Sequence, residues 1–101
     1  MDIQMPGGWS KVEPATPEVK KITQEVKEQV VALSHGANFK VFNAVSFSSQ
    51  TVAGTNYIIK VNVGGDVCVH VMVFKAISSQ EKLKVQRIQH PKKRSDPLKN
   101  F

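Results

Sequence analysis

The sequence predicts an α+β fold in which a single helix packs across a four- to five-stranded antiparallel sheet. Three observations support this prediction. Early in the chain, apolar residues recur every three or four positions, which is helical periodicity. After Gly36 the apolar residues alternate with a period of two, as they do in half-buried strands. The connections between these segments are short, and short connections require antiparallel neighbours.

The helix is predicted over residues 17–34. Thr16 is a suitable N-cap, Pro17 occupies the first helical position, and Glu18 lies in the first turn, where the helix dipole favours negative charge. Gly36 is a natural terminator because glycine readily adopts the left-handed conformation at a helix end. The stripe expected to face the sheet consists of Val19, Ile22, Val26, Val30 and Leu33.

Four strands are predicted after the helix, with Gly64-Gly65-Asp66 as the hairpin turn between the second and the third. Phe42 breaks the alternation of the first strand, and the fourth strand has the weakest pattern. The sheet then has one apolar face, which the helix is expected to cover. The apolar positions are Phe39, Val41, Val45 and Phe47; Tyr57, Ile59, Val61 and Val63; Val67, Val69, Val71 and Val73; and Leu83 and Val85.

The length of 101 residues predicts a single domain over residues 1–101, with an irregular arm at 1–13 and a basic tail at 91–101. Cys68 is the only cysteine, so no internal disulfide can form. The N-terminus lacks the basic start and apolar run of a secretory signal. No segment reaches the roughly 20 apolar residues of a membrane span. These features together predict a cytoplasmic protein.

The sequence shows little that could support catalysis. It contains no phosphate-binding or dinucleotide-binding glycine motif. Cys68 and His70 lie two residues apart on a predicted strand, which could be half of a metal site or a thiol with its base. No second cysteine or histidine pair completes a zinc site. We interpret Cys68 as a small sheet residue and His70 as a partly exposed one, and we expect no catalytic residues, no metal and no cofactor.

A polar stretch at residues 48–55 separates two strong strands and has a five-residue tip, residues 50–54, with an apolar residue, Val52, at its apex. Solvent-facing turns usually carry Asn, Asp, Gly or Pro. Loops on a rigid scaffold often form binding surfaces. From this pattern alone, a plain hairpin turn and a binding loop are equally good interpretations.

Four segments resemble one family. Gln50-Thr51-Val52-Ala53-Gly54 matches the Q-x-V-x-G motif of the cystatin superfamily. Pro6-Gly7-Gly8 is similar to the N-terminal trunk of the stefins, and Pro14-Ala15-Thr16-Pro17-Glu18 to the start of their helix. Asp96-x-Leu98-x-x-Phe101 is similar to their C-terminus. The matches occur in the right order along nearly the whole chain, so the chain resembles a stefin.

The resemblance implies a reversible, tight-binding inhibitor of papain-like cysteine proteases of the cathepsin class. In that family a trunk and two hairpins form a wedge that fills the protease cleft. It further implies that Gln50 organises the first hairpin, that Val52 presses on the cleft and that Gly54 permits the bend. The implied protease-binding residues are Met5, Pro6, Gly7 and Gly8 in the trunk; Gln50, Thr51, Val52, Ala53 and Gly54 in the first hairpin; and Ile77 and Ser78 in the second.

Three alternatives stay open from the sequence. The net charge of +6, concentrated at Lys92, Lys93 and Arg94, is also typical of a small nucleic-acid-binding module. That reading would need exposed aromatic residues among the lysines, and only 7% of the residues are aromatic. Trp9 could be an interface anchor or could pack over the start of the helix. The protein is expected to be a monomer, with a domain-swapped dimer as the alternative, and to bind no membrane.

Overall fold

The computed structural model describes residues 8–77 and 83–101. Five antiparallel strands form one sheet in the order β1-β2-β3-β4-β5, with helices between the first two strands. The predicted α+β class is therefore confirmed. The elements in chain order are β1 (Glu13–Pro14), α1 (Pro17–Glu25), α2 (Lys27–Leu33), β2 (Asn43–Val52), β3 (Gly54–Gly64), β4 (Val67–Ala76) and β5 (Leu83–Lys93).

The helical segment begins as predicted but is not one continuous helix. The Thr16 hydroxyl accepts a hydrogen bond from the Val19 amide at 3.2 Å, and Pro17 follows the cap. At Val26 the backbone leaves helical geometry, with φ −99° and ψ 4°, and α1 ends there. The Val26 amide donates to the Ile22 carbonyl and the Val30 amide to the Val26 carbonyl, both at 3.1 Å, so helical hydrogen bonding continues across the break into α2.

The main core lies between the helices and one face of the sheet. Four of the five residues of the predicted stripe are buried there. Leu33, the fifth, is 46% exposed, because α2 ends at this residue beyond the packed part of the stripe. Val67, at the start of β4, is also exposed, although the strand itself forms as predicted. The buried sheet residues of this core include Phe47, Tyr57, Ile59, Val61, Val69, Val71, Val73 and Val85.

The first predicted strand differs most from expectation. β2 begins at Asn43, so Phe39 and Val41 precede it. The pairing of β2 with β3 shifts register between Ala44 and Ser46, which is a β-bulge. Because a bulge adds one residue, it reverses the alternation beyond it. Ala44 and Phe47 therefore both face the core, and Val41 is 43% exposed.

The opposite face of the sheet, here called the far face, is also covered, which the sequence analysis did not anticipate. Trp9, Ile58, Met72 and Leu98 form a second buried cluster on it, with Val12 and Phe101 packed against the cluster. The two ends of the chain thus cover the face that the helices leave open.

The C-terminal residues are part of this folded structure. β5 extends to Lys93, so the first residues of the segment expected to be a basic tail lie in the sheet. The Lys60 ammonium donates to the Arg94 carbonyl at 2.7 Å, and Leu98 is only 4% exposed. Beyond β5, the C-terminal segment is thus attached to the sheet, with Leu98 and Phe101 packed on the far face.

His70 lies on β4 and is fully buried, so the expectation of a partly exposed residue was wrong. Neither ring nitrogen has a hydrogen-bond partner within residues 8–77 and 83–101. Burial lowers the pKa of His70 to about 4, and the positive charges of Lys60 and Lys92 contribute in the same direction. The imidazole is accordingly neutral at pH 7.

Within the two described stretches, none of the helices is both long and apolar enough to cross a lipid bilayer.

Candidate functional site

The first hairpin and the end of β4 lie side by side at one end of the sheet, where these inner strands terminate. Gly54 is paired with Val52 across the hairpin and with Ala76 on β4. Ile77 follows Ala76 directly, so it projects beside the hairpin tip. We use the name wedge edge for Gly8, residues 50–54 and Ile77.

The hairpin is tighter than the five-residue tip that the sequence suggests. Val52 still pairs with Gly54, so Ala53 alone forms the tip. Farther from the tip, Gln50 pairs with Asn56, and the Asn56 side-chain amide donates to Gln50 Oε1 at 3.1 Å. Gln50 therefore braces the hairpin from side to side.

Gly54 is buried, although the sequence analysis assigned it to a surface tip. Its φ is +123°, a value that side-chain-bearing residues rarely adopt. A Cβ atom here would lie 2.5 Å from the Lys75 carbonyl oxygen and 2.8 Å from the Phe74 ring. Glycine is thus required because β4, the neighbouring strand, runs too close to this position to leave room for a side chain.

The residues of the wedge edge carry no charge, and two of them expose large apolar side chains. Val52 is 45% exposed and Ile77 is 82% exposed. Between Gln50 and Asn56 the chain carries no ionisable side chain. On β4 nearby, the Lys75 ammonium is paired with the Glu18 carboxylate at 3.1 Å. Such an edge can enter a narrow cleft without the cost of desolvating a charge.

The N-terminal segment reaches the wedge edge. Gly8 has φ +82°, and a Cβ atom there would lie 4.0 Å from Gln50 Nε2. The Ser10 amide donates to the Ser49 carbonyl at 2.8 Å, which places this segment alongside β2. Trp9 is 3% exposed and packs on the far face, so it is neither an interface anchor nor a cover for the start of the helix.

The structure brings together seven of the residues that the sequence analysis proposed: Gly8, Gln50, Thr51, Val52, Ala53, Gly54 and Ile77. Met5, Pro6, Gly7 and Ser78 lie outside the described residues. Sequence reasoning missed Ser10 and Ser48, whose hydroxyls join the N-terminal segment to β2. Two single serines in polar segments gave no periodic signal by which to find them.

The family assignment rests on a match over most of the chain. A family model described as a cystatin domain matches residues 7–94. The chain belongs to the cystatin family. This cystatin chain is 43% identical to Cystatin-A1 of Sus scrofa over 101 residues, covering 99% of this chain and 97% of the relative.

Two further relatives agree with this assignment. Cystatin-B of Mus musculus is 43% identical over 98 residues, which cover 96% of this chain and 99% of the relative. Leukocyte cysteine proteinase inhibitor 1 of Sus scrofa is 42% identical over 96 residues, covering 94% and 92%. The stefin resemblance is therefore confirmed, and the comparisons give no support to the nucleic-acid alternative.

Proposed function

We propose that this cystatin is a reversible, tight-binding inhibitor of papain-like cysteine proteases of the cathepsin class, and that it is not an enzyme. The observation that carries the proposal is the wedge edge. Gly8, the first hairpin and Ile77 converge at one end of the sheet and present an uncharged surface on which Val52 and Ile77 are exposed. The names of the relatives point to the same activity.

The structure of the first hairpin supports binding without a large entropic cost. β2 and β3 pair up to the residues that flank Ala53, and Gln50 braces them. A loop that is ordered before binding loses little conformational freedom on binding, so more of its contact energy appears as affinity. Val52, already exposed in the free protein, would then bury its side chain against the cleft wall.

Inhibition in this proposal comes from exclusion. A wedge that fills the cleft on both sides of the catalytic thiolate keeps substrates out. It is not cleaved, because no carbonyl needs to lie at the roughly 3–3.5 Å and in the alignment that attack by the thiolate requires. We assign Met5, Pro6, Gly7 and Gly8 to one side of the wedge, and Ile77 and Ser78 to the other.

The test is a titration of papain with the full-length protein. We expect loss of papain activity at near-equimolar inhibitor, competitive with substrate, and recovery of activity on dilution. A serine protease and a zinc metalloprotease serve as controls and should stay active. Full papain activity in a tenfold excess of micromolar inhibitor would contradict the proposal.

We also place the protein in the cytoplasm as a monomer. Its single cysteine, Cys68, is buried as a free thiol, which suits a reducing compartment.

A further inference from the structure

We propose that Trp9, Ser10 and Ser48 form an anchor that positions the N-terminal trunk for protease binding. We call these three residues the trunk anchor. The inference rests on the proposed function, since it explains how the trunk is aimed at the cleft. The three are positioning residues: they lie behind the wedge edge and act through the segment that precedes them.

Hydrogen bonds between Ser10 and β2 form the first part of the anchor. The Ser10 amide donates to the Ser49 carbonyl at 2.8 Å. The Ser48 hydroxyl donates to the Ser10 carbonyl at 2.7 Å, and the Ser49 amide donates to the Ser10 hydroxyl at 3.0 Å. Both backbone groups of Ser10 and its side chain are therefore bound. Ser48 is fully buried, so its hydroxyl is shielded from competition with water.

Trp9 forms the second part. Its side chain packs with Ile58, Met72 and Leu98 on the far face and is only 3% exposed. The indole N–H has no hydrogen-bond partner in the described part of the chain, so apolar contact is what holds the ring. A buried tryptophan removes roughly 150–250 Å² of surface from water, which is a strong attachment for a single residue.

The position of the anchor explains its effect. Trp9 directly follows Gly8, which lies beside Gln50 at the wedge edge. Without the anchor, the next residue held in a β-bridge would be Lys11. Three flexible residues, 8–10, have a root-mean-square reach of about 9 Å. Gly8 could then move over a distance of that size, and protease binding would have to order it.

A double-mutant cycle tests the inference in the full-length chain. Ser10→Ala with Ser48→Ala weakens the anchor. Ile3→Ala with Met5→Ala removes two apolar side chains that precede Gly7 in the N-terminal arm, Met5 in the trunk and Ile3 just before it. Ser46→Ala, at a half-buried serine on the same strand, is the matched control. The inhibition constant and dissociation rate for papain are measured for each variant, together with the melting temperature. Ser10→Ala alone, at a half-buried residue, repeats the cycle with less risk to folding.

If the anchor aims the trunk, the two sets of changes will not be additive. We expect the trunk changes to weaken inhibition about tenfold in the wild-type background, mainly through faster dissociation. In the anchor-weakened background the same changes should cost less than about threefold, since the trunk is held in place less firmly. Ser46→Ala should leave the full tenfold effect.

Trp9 supplies a second readout, because it is the only tryptophan. Its fluorescence in the free protein should resist quenching by potassium iodide in the wild type and in Ser46→Ala. Quenching should increase when both anchor serines are replaced.

Two results would overturn the inference while papain is still inhibited by the wild type. One is an additive cycle, which would show that the serines only stabilise the fold. The other is full inhibition after the Ile3 and Met5 changes, which would show that the trunk adds no affinity. Failure of the wild type to inhibit papain would instead overturn the proposed function itself.

Discussion

Val52 and Gly54 flank the tip of the same hairpin, but they face different surroundings. Val52 is 45% exposed, so a bound protease could cover its side chain. Gly54 is buried against the Lys75 carbonyl and the Phe74 ring and has a positive φ. One residue is available for binding, whereas the other is needed for the hairpin to lie against β4.

Substitutions at these two residues should therefore have different consequences. Val52→Asp should weaken papain inhibition by at least about tenfold, because docking would desolvate an unpaired carboxylate. Its melting temperature should stay close to that of the wild type.

Gly54→Ala should lower the melting temperature and the inhibition together, with a cost of about 1–3 kcal/mol in the free energy of unfolding from the clash and the positive φ. Thermal melting and inhibition constants of both variants are the measurements. Equal melting temperatures for Gly54→Ala and the wild type would contradict the packing described here.

His70 makes the stability of the protein depend on pH. Its pKa is about 4 in the folded protein and 6.5 in the unfolded chain, so above pH 6.5 neither state binds the proton. As the pH falls from 6.5 towards 4, only the unfolded state gains the proton, and folding becomes less favourable. The shift corresponds to a loss of up to about 3 kcal/mol in the free energy of unfolding.

The variant His70→Leu separates this effect from other titrations. It removes the proton-binding group, so its unfolding free energy should fall less than that of the wild type between pH 7 and pH 4. The pKa of Asp96 is lowered first by the Lys93 backbone amide and to a lesser extent by neighbouring positive charges, including that of His70. Its titration destabilises both proteins as the pH falls, so the part that does not depend on His70 cancels in the comparison. Urea unfolding at several pH values gives the two curves. If the unfolding free energies of the two proteins fell in parallel with pH, the pKa of His70 would be the same in the folded and unfolded states, and this prediction would be wrong.

At the scale of the elements, a single glutamine connects α2 to the edge strand β5. The Gln29 side-chain amide donates to the Leu83 carbonyl at 3.2 Å, and its Oε1 accepts from the Val85 amide at 2.9 Å. These two bonds pair backbone groups on the side of β5 that has no neighbouring strand. The helix thus completes the hydrogen bonding of an otherwise open edge.

Gln29→Ala should destabilise the protein by about 1–2 kcal/mol, since it leaves two partly buried backbone groups without their partner. Gln29→Glu keeps the acceptor for the Val85 amide and should cost less. Glu28→Ala, at the neighbouring exposed position, is the control and should change stability by less than about 0.5 kcal/mol. Hydrogen exchange at the Val85 amide is the direct measurement. Unchanged protection of that amide in Gln29→Ala would contradict the role assigned to Gln29.

The elements also show what the sequence could and could not predict. The α1–α2 stripe and the alternation of β3 and β4 are regular, and the residues that they bury in the main core follow from periodicity, with Leu33 and Val67 as exceptions. The bulge in β2 was not predicted, because one extra residue leaves the local composition unchanged. Trp9 and Leu98 were not predicted to share a cluster, because they are isolated apolar residues in irregular segments near opposite ends of the chain. At the site, the first hairpin was found from its motif, whereas the constraint on Gly54 depends on β4, which is distant in sequence.

Considered as a whole, the molecule separates its uncharged wedge edge from its densest positive charge. β4 runs from Val67 to Ala76, and Val67 pairs with Lys93 while Ala76 pairs with Gly54. Ten residues of strand span roughly 30 Å. Lys92, Lys93 and Arg94 therefore lie near the end of the sheet opposite the wedge edge. This distance is several times the screening length of about 8 Å at physiological ionic strength.

Replacing these three residues with serine should consequently leave papain inhibition unchanged at physiological salt. The change lowers the net charge from +6 to +3 but keeps the backbone contacts of the segment, including the bond from Lys60 to the Arg94 carbonyl. At low salt, where the screening length grows to about 30 Å at 0.01 M, the association rate should depend on the replacement. Association and dissociation rates of the triple variant and the wild type, measured at both salt concentrations, test the separation. A loss of affinity at physiological salt, caused by faster dissociation, would mean that the basic end contacts the protease directly, and the wedge edge would then be only part of the binding surface.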